Sequence, residues 1–400
     1  MRRVKGEIGP ERCDERAARD LWVLSVAFFF VFAGAGAQQV YLLEYLGRVN
    51  PWSSVARGGI LAATYWSFMV FRVWNVYLLR RLADHLAILF GALTYVLFVA
   101  AVYFLPHSYP ALFGAAMLWG WGAAAFWSAS STRILDVTDR RRRYGLSAGT
   151  LYAGTHGGFL VGTLLLGALG KAWGAPTVFY AALNATAIGV FVLAWLPRRD
   201  IRREAPAWRT LTDMALSPKG ASVAFLLLTS SLAFGLLLGA FSEHVEERFG
   251  LAWGGMIAGA FSLARLVLGF AGTTLSDTLG RHRVFFAAFA LASAGLAASV
   301  AWEHVAALVL ASFALGALGG IVPATATALI GDSADRARRP LAYGALFVWR
   351  DMGVGVAIVL GSILRVVHGG SEGTFLVFAI IFAACAVPAL LLGRRAGDRL

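Results

Sequence analysis

Charged residues are scarce in this sequence. They make up 14% of its 400 residues, whereas hydrophobic residues make up 59%. An average soluble domain carries roughly 25% charged residues and at most about half apolar ones. The composition therefore excludes an ordinary water-soluble protein and indicates that lipid is the main solvent of the chain.

Cysteine is also scarce, and a secretory signal is missing. Cys13 lies in the polar N-terminal segment and Cys385 in the last apolar run, so the sequence predicts no disulfide, no metal site and no cofactor. Residues 1–20 contain six basic and five acidic side chains and lead into a full-length apolar segment without a cleavage site. We therefore expect a cytoplasmic N-terminal segment over 1–20, followed by a retained helix.

Apolar runs of about 20 residues recur along almost the whole chain, and a helix of that length crosses the roughly 30 Å hydrocarbon core of a bilayer. The runs predict an all-α integral membrane protein with twelve spans. These spans are 21–43, 56–79, 86–105, 110–130, 146–170, 175–196, 220–241, 252–274, 284–302, 305–330, 341–364 and 372–392.

The basic residues indicate how these spans are oriented. A net charge of +13 could suit a nucleic-acid partner, but the Lys and Arg residues follow the sidedness of membrane loops. The termini and the even-numbered loops hold 27 of them, and the opposite loops hold five. We therefore expect a multi-pass protein of the cell membrane with both termini cytoplasmic and no nucleic-acid partner.

The chain divides into two related halves. The predicted parts are a bundle of six helices at 21–197, a cytoplasmic linker at 198–219, a second bundle of six helices at 220–393 and a cytoplasmic tail at 394–400. The loop pattern Asp136-Val-Thr-Asp139-Arg140 returns as Asp332-Ser-Ala-Asp335-Arg336, which indicates internal duplication. Two such bundles can rock about a site near the bilayer midplane, and we expect a single chain to function as a monomer.

A loop motif also recurs in both halves. Its second copy reads Thr273-Thr-Leu-Ser-Asp277-Thr-Leu-Gly280-Arg281-His282-Arg283, and an eroded first copy keeps Asp84. In this motif and in its duplicated halves, the chain resembles the major facilitator superfamily over nearly all of 21–393. The resemblance implies a secondary transporter working by alternating access, with Asp84, Asp277 and Arg281 in a cytoplasmic gate. A solvated loop turn is the alternative for both aspartates.

Five ionisable side chains lie within the predicted spans: Arg72, His156, Arg265, Arg350 and Asp351. A charge at the centre of a membrane helix costs about 2.5–3.5 kcal/mol on insertion scales, so we expect these groups to face the protein interior. They fall on spans two, five, eight and eleven, which flank the central cavity in the superfamily. We therefore predict a central cavity that binds a small-molecule substrate.

Arg72 and Arg265 each precede the aspartate of the loop motif by 12 residues, so they lie at equivalent heights in the two halves. Two guanidinium groups facing one cavity repel each other unless an anion lies between them. The planar Arg side chain suits a carboxylate, nitrate or phosphate group. We expect a small anion between Arg72 and Arg265, with Arg350 as a further ligand. A wholly structural network that includes Asp351 is the alternative.

His156 and Asp351 are the candidate proton carriers, since an imidazole titrates near pH 6.5 and Asp351 is the acid within a span. His156 is also a candidate substrate ligand, with a packing role as the alternative. Coupling to a proton or to an exchanged anion stays open. Two further expectations concern packing. Trp66, Trp74, Trp119 and Trp121 wall the cavity or face lipid. Glycines let helix backbones approach closely where the halves meet, namely Gly145, Gly149, Gly154, Gly158 and Gly162 on span five with Gly255 and Gly259 on span eight.

The alternatives to anion transport are a drug exporter, a membrane-embedded enzyme and a membrane sensor. A proton-coupled exporter of drugs or other hydrophobic compounds would use Asp351 and an aromatic lining. A membrane-embedded enzyme would need a nucleophile with a base, a metal cluster or paired carboxylates, and the acidic pairs in the loops lie beside arginines typical of ion-paired turns. We therefore predict no enzymatic activity, and a non-transporting membrane sensor is a more remote alternative.

Overall fold

The computed structural model describes residues 10–78, 82–138, 144–198, 217–302, 304–333 and 339–397. These residues form twelve helical segments, here named α1 to α12, and among them there is no strand. The segments are α1 (Pro10–Val31, continued by Phe32–Gly36 and Gln39–Val49), α2 (Ser54–Leu78), α3 (Asp84–Phe104), α4 (Tyr109–Thr138), α5 (Tyr144–Trp173), α6 (Ala175–Val192), α7 (Pro218–Leu236, continued by Leu237–Phe241 and Ser242–Phe249), α8 (Leu251–Leu279), α9 (Arg281–Ala301), α10 (Val305–Ser333), α11 (Arg339–His368) and α12 (Ser371–Gly397).

The predicted all-α membrane fold is confirmed, since each predicted span corresponds to one helical segment. Within the described residues, ten segments are long and apolar enough to cross a membrane. The other two, α2 and α4, are long enough, with 25 and 30 residues.

Several helices continue beyond the apolar runs that predicted them. Span seven was predicted to end at 241, but α7 continues to Phe249. Helix ends that project past the hydrocarbon core reach the polar interface, where charged side chains are solvated, so hydropathy underestimates helix length. The extension of α7 matters because it carries three glutamates, Glu243, Glu246 and Glu247.

The first helix of each half is interrupted by a π-helical turn, at Phe32–Gly36 in α1 and at Leu237–Phe241 in α7. Such turns release backbone groups from the regular helical hydrogen bonds and occur often at functional sites. In α1 the amide of Ala35 donates to Thr186 Oγ1 on α6 at 2.8 Å. In α7 Gly239 leaves the helical conformation, with φ −99° and ψ −118°. Both helices are therefore irregular partway across the membrane.

The buried apolar side chains form two clusters, one built mainly on α1 to α6 and one on α7 to α12. The halves meet where α2 packs along α11 and α5 packs along α8. Glycines of α5 and α8 were expected at this junction. The expectation is confirmed for Gly255 of α8, which lies against the Thr163 backbone of α5, and it is wrong for Gly154, Gly158 and Gly162. A Cβ atom added at Gly154, Gly158 or Gly162 would collide with the backbone of α1, so these glycines bring α5 and α1 together within the first half.

Candidate functional site

A cavity of about 80 Å³ lies between the two halves, near the middle of the helices. The first half lines it with Phe32, Gln39, Thr64, Tyr65, Phe68, Tyr95, Trp119, Ala123, Trp127, Thr155, His156 and Phe159. The second half lines it with Phe234, Phe261, Ser262, Arg265, Arg350 and Asp351. Because both halves contribute, any movement of one half against the other changes this cavity.

The cavity wall is largely aromatic: nine of its 18 lining residues are Phe, Tyr or Trp. Their rings contact one another across the halves, as Phe159 of α5 lies 6.0 Å from Phe234 of α7 between ring centres. The Tyr65 hydroxyl donates to Gln39 Oε1 at 2.7 Å. An aromatic wall with a few placed polar groups is typical of a site for a small organic molecule.

The four tryptophans named above have different environments. Trp119 is buried, lines the cavity and stacks on Phe98 with 4.4 Å between ring centres. The indole nitrogen of Trp121 donates to Asn75 Oδ1 at 2.9 Å. Trp66 and Trp74 are exposed on the surface of α2. Only Trp119 of these four therefore belongs to the cavity wall.

Arg72 is not among the residues that line this cavity. Its Nε atom donates to Asp351 Oδ2 at 2.6 Å, and its guanidinium carbon lies 4.4 Å from the centre of the Phe68 ring. Both Arg72 and Asp351 are buried, and their pair joins α2 to α11 across the two halves. The expectation that Arg72 and Arg265 face each other across the cavity is therefore corrected, because Arg72 lies behind Phe68 and Asp351.

Arg265, Arg350 and His156 line the cavity together with Asp351. The guanidinium carbon of Arg265 lies 5.2 Å from the centre of the Phe234 ring. His156 lies close enough to both guanidinium groups to experience their charges. The three arginines, Arg72 included, carry three positive charges against the one negative charge of Asp351, which leaves a formal excess of two. Among the described residues at this cavity, side chains of positive formal charge therefore outnumber those of negative formal charge.

The predicted gate residues lie at helix ends. Asp84 is buried at the first residue of α3, where the helix dipole favours a carboxylate, and Arg281 is half-buried at the first residue of α9. The side chain of Asp277 lies outside the described residues. Gly280 joins α8 to α9 with φ 86°, a conformation that glycine adopts without a steric penalty. The turn explains the glycine of the motif, and the gating roles stay predictions.

A second polar site lies on the distal side, meaning the side where α1 ends and α2 begins. Its members form what we call the distal ion cluster: Glu44, Arg48, Arg57, Glu243, Glu246, Glu247 and Arg365. Glu243 is at its centre, with Oε1 2.7 Å from Arg57 Nη1 and Oε2 2.9 Å from Arg365 Nη1. Ser54 also donates to Glu243, at 3.3 Å. Since Ser54 and Arg57 belong to α2, the buried Glu243 of α7 connects the two halves.

Close backbone packing closes the same side further. The Tyr41 hydroxyl of α1 donates to the carbonyl oxygen of Thr163 on α5. Gly255 of α8 faces both groups, and a Cβ atom there would lie 2.5 Å from the Thr163 oxygen and 2.6 Å from the Tyr41 hydroxyl. α1, α5 and α8 therefore touch at this level, and the two halves are held together on the distal side.

The distal ion cluster was not predicted, although the sequence contains a signal for it. Glu243, Glu246 and Glu247 have the i, i+3, i+4 spacing that places side chains on one face of a helix. The hydropathy pattern ended span seven at 241, which assigned these acids to a loop. Arg57 and Arg365 were counted only as loop charges that report orientation.

A comparison with known protein families identifies the family to which this chain belongs. The model of the Major Facilitator Superfamily matches residues 21–241 and 223–399, one match over each half. The chain belongs to this superfamily. Its members are transporters, so the resemblance seen in the loop motifs and the prediction of a multi-pass transport protein are confirmed.

Similarity to individual proteins is more distant. The chain is 27% identical over 263 residues to the multidrug resistance protein MdtG of Yersinia enterocolitica, a match that covers 62% of this chain and 61% of that protein. The chain thus matches less than two thirds of the length of this relative. The crystal structure of a mutant of the nucleoside transporter NupG superposes with a TM-score of 0.74 over 93% of this chain and 98% of that one, at 13% identity. This second similarity supports the fold alone.

Proposed function

We propose that this superfamily transporter moves a small organic anion, one that combines a carboxylate-like group with a flat apolar part. The observation that carries the proposal is the excess of positive charge beside an aromatic cavity. Arg265 and Arg350 would bind the anionic group, in place of the predicted pair of Arg72 and Arg265. His156 would contact the cargo from α5.

The charge at the cavity depends on how Asp351 is paired. Asp351 accepts from Arg72 at 2.6 Å, so the charge of this acid is balanced by an arginine behind the wall. Arg265 and Arg350 then keep the surroundings of the cavity positive. An anion is attracted to such a site, whereas a cation is repelled. Arginine also presents parallel N–H groups that match the two oxygens of a carboxylate.

The aromatic wall favours an organic anion over an inorganic one. Phosphate is strongly hydrated, and nine aromatic side chains replace few of the hydrogen bonds that this ion makes to water. A flat ring gains contact area and ring stacking in the same space. The volume of about 80 Å³ suits a small solute, since drug-sized ligands occupy pockets of about 300–1,000 Å³.

Alternating access gives this site its proposed mechanism. The cavity lies between halves that are closed on the distal side by the Glu243 connection. The orientation with both termini in the cytoplasm is supported by the 27 basic residues in the termini and even-numbered loops, against five in the opposite loops. In this orientation the distal side faces the cell exterior, and the structure is a state closed to the outside.

A ligand panel tests the proposal. The purified protein is heated with benzoate, with its uncharged isostere benzamide, and with acetate, nitrate, phosphate, a nucleoside and a cationic dye. We expect benzoate to raise the melting temperature most, acetate to raise it less and benzamide to have no effect. The same order is expected when these compounds compete with labelled benzoate for uptake into liposomes. Equal stabilisation by benzoate and benzamide would contradict the role of charge.

The second candidate is export of drugs or other hydrophobic compounds, and the similarity to the multidrug resistance protein MdtG favours it. The aromatic wall suits this cargo as well. The electropositive surroundings distinguish the two candidates, because a cationic dye is repelled there. Stabilisation by the dye together with no response to benzoate would select the exporter.

A further inference from the structure

Glu246 is a buried carboxyl group on the extended end of α7, and its side chain is 1% exposed. Within the part of the chain that the structure describes, neither of its carboxylate oxygens has a hydrogen-bond partner. Glu243, one turn earlier, contacts Arg57, Arg365 and Ser54. Two glutamates of one helix face thus have opposite surroundings. Glu243 is surrounded by donors, and Glu246 is not.

The neighbours of Glu246 belong to both halves and are mainly acidic. Glu44, Glu243 and Glu247 act on it electrostatically, and Arg48 is the cation that opposes them. Arg48 is already paired with Glu44. From α1 the Tyr41 hydroxyl is also within electrostatic range, although it donates to Thr163.

The described residues of the remaining helices add no hydrogen-bond donor to Glu246. From α8, Gly254 lies so close that a Cβ atom there would be 2.6 Å from Glu246 Oε1. Arg57 of α2 and Arg365 of α11 reach Glu243, and Arg365 also reaches Glu247. In the described residues, no group of three or more His, Cys, Asp or Glu side chains is arranged to hold a metal ion. A bound proton would remove the charge of the buried Glu246 carboxylate, whose oxygens have no hydrogen-bond partner among the described residues.

We propose that Glu246 is a proton-binding site that couples closure of the distal side to uptake of one proton. A carboxylate buried without a partner and beside other acids is strongly disfavoured, so the closed state holds the neutral acid. When the halves separate at α1 and α7, water reaches Glu246, its O–H bond breaks, and the proton passes to water on the distal side. Closure of the distal side requires that the Glu246 carboxylate take up a proton from water.

This site differs from His156 and Asp351, the proton carriers predicted from the sequence, because it lies in the distal contact and not in the cavity. The inference does not depend on the identity of the cargo, since it concerns the opening of the halves alone. If the termini are cytoplasmic, the proton is exchanged with the outside. Uptake and release then occur on the same side of the membrane, so the proton controls opening of the distal side and is not itself carried across.

The test measures the distance between the halves as a function of pH. Lys171 and Glu372 are exposed at distal helix ends of the first and second halves, and each is replaced by cysteine for spin labelling. Cys13 and Cys385 are first replaced by serine. In protein that is otherwise wild type, release of one proton on opening raises the ratio of open to closed molecules by up to tenfold for each pH unit.

Glu246→Gln keeps the shape of the neutral acid and removes its proton. We expect this variant to stay closed over a pH series from about 4 to about 9, with a ratio that does not change with pH. Glu247→Gln is the matched control, because Glu247 is the adjacent acid, is partly exposed and pairs with Arg365. It should keep the pH response. A pH response in Glu246→Gln equal to that of the parent, or none in the parent, would overturn the proposal.

Infrared spectroscopy gives a second measurement that needs no labels. The closed parent protein should show the carbonyl band of a protonated carboxylic acid, which shifts in D2O and is missing from the spectrum of Glu246→Gln. If the bands of the two proteins are identical, Glu246 is ionised in the closed state and the inference is wrong. Failure of this test would leave the proposed cargo unaffected, because benzoate binding is measured separately.

Discussion

Arg72 and Arg265 occupy equivalent positions in the two halves, yet their surroundings differ. Arg72 is buried, bonds to Asp351 across the halves and lies behind the cavity wall. Arg265 is half-buried, lines the cavity and lies over the Phe234 ring. One arginine therefore holds the halves together, and the other faces the space where a solute would bind.

The asymmetry originates in the partner helices. The repeated Tyr-Gly pairs at 144 and 343 align α5 with α11 at an offset of 199 residues, which places Tyr152 at the position equivalent to Asp351. The second half thus supplies an acid for Arg72, but the sequence of the first half has no acid at the equivalent position for Arg265. Duplication gives two similar bundles, and divergence at single polar positions separates the structural role from the binding role.

The largest expected effect comes from removing the acid of the structural pair. Asp351→Asn leaves the Arg72 guanidinium buried without its carboxylate, and breaking a buried pair in this way costs about 3–5 kcal/mol. We expect a clearly lower melting temperature of the purified protein in the absence of cargo. The measurement is thermal unfolding followed by tryptophan fluorescence.

The matched control removes both charges. Arg72→Gln combined with Asp351→Asn leaves no lone charge, so the double variant should be more stable than Asp351→Asn alone. If the double variant loses as much stability as Arg72→Gln and Asp351→Asn lose together, the 2.6 Å contact between the two side chains contributes no coupling energy. A wild-type melting temperature for Asp351→Asn would contradict the structural role of the pair.

The next largest effect is expected at Arg265, the arginine that lines the cavity. Arg265→Gln removes a charged hydrogen-bond donor from the cavity wall, and such bonds contribute about 1.5–3 kcal/mol. We expect the affinity for benzoate to fall between about tenfold and about a hundredfold, since 1.4 kcal/mol corresponds to a factor of ten. Thermal stability without cargo should change much less than in Asp351→Asn. Titration of the protein with benzoate measures the affinity.

Two controls sharpen this result. Arg265→Lys keeps the charge and loses the planar pair of donors, so it should recover part of the affinity. Arg283→Gln removes a basic side chain that is exposed on α9, away from the cavity, and should bind benzoate as the parent does. If Arg265→Gln and Arg283→Gln have the same affinity, Arg265 does not bind the cargo.

The fold was predictable because the bilayer limits the possible structures. Hydropathy located all twelve spans, and the cost of burying charge indicated that Arg265, Arg350, His156 and Asp351 face the interior, where they line one cavity. The rotation of α2 about its axis was not predictable. Whether Arg72 reaches the cavity or Asp351 depends on the packing of α2 against α11, two helices whose ion pair joins residues 279 positions apart.

The distal ion cluster was missed for a different reason. Glu243 and Glu246 lie past the end of the apolar run of α7, where an acid costs little if the chain is a solvated loop. The chain there is a helix, and packing against α1 and α2 buries both acids. Burial by a second element is a tertiary property, and a single sequence carries no direct record of it.

The smallest expected effect is at the edge of this cluster. Ser54→Ala removes the hydroxyl that donates to Glu243 at 3.3 Å, while Arg57 and Arg365 still neutralise the carboxylate. At 3.3 Å this bond is longer than a usual O–H···O hydrogen bond, so we expect it to contribute about 0.5–1.5 kcal/mol although its acceptor is a carboxylate. The ratio of open to closed molecules should therefore rise between about twofold and about tenfold. The distance between labels at positions 171 and 372 measures it. Thr274→Ala removes an exposed hydroxyl near the opposite end of α8, far from the distal ion cluster, and should leave the ratio unchanged. A ratio unchanged by both variants would mean that the arginines alone hold Glu243, and that the distal contact depends on charge without help from the hydroxyl.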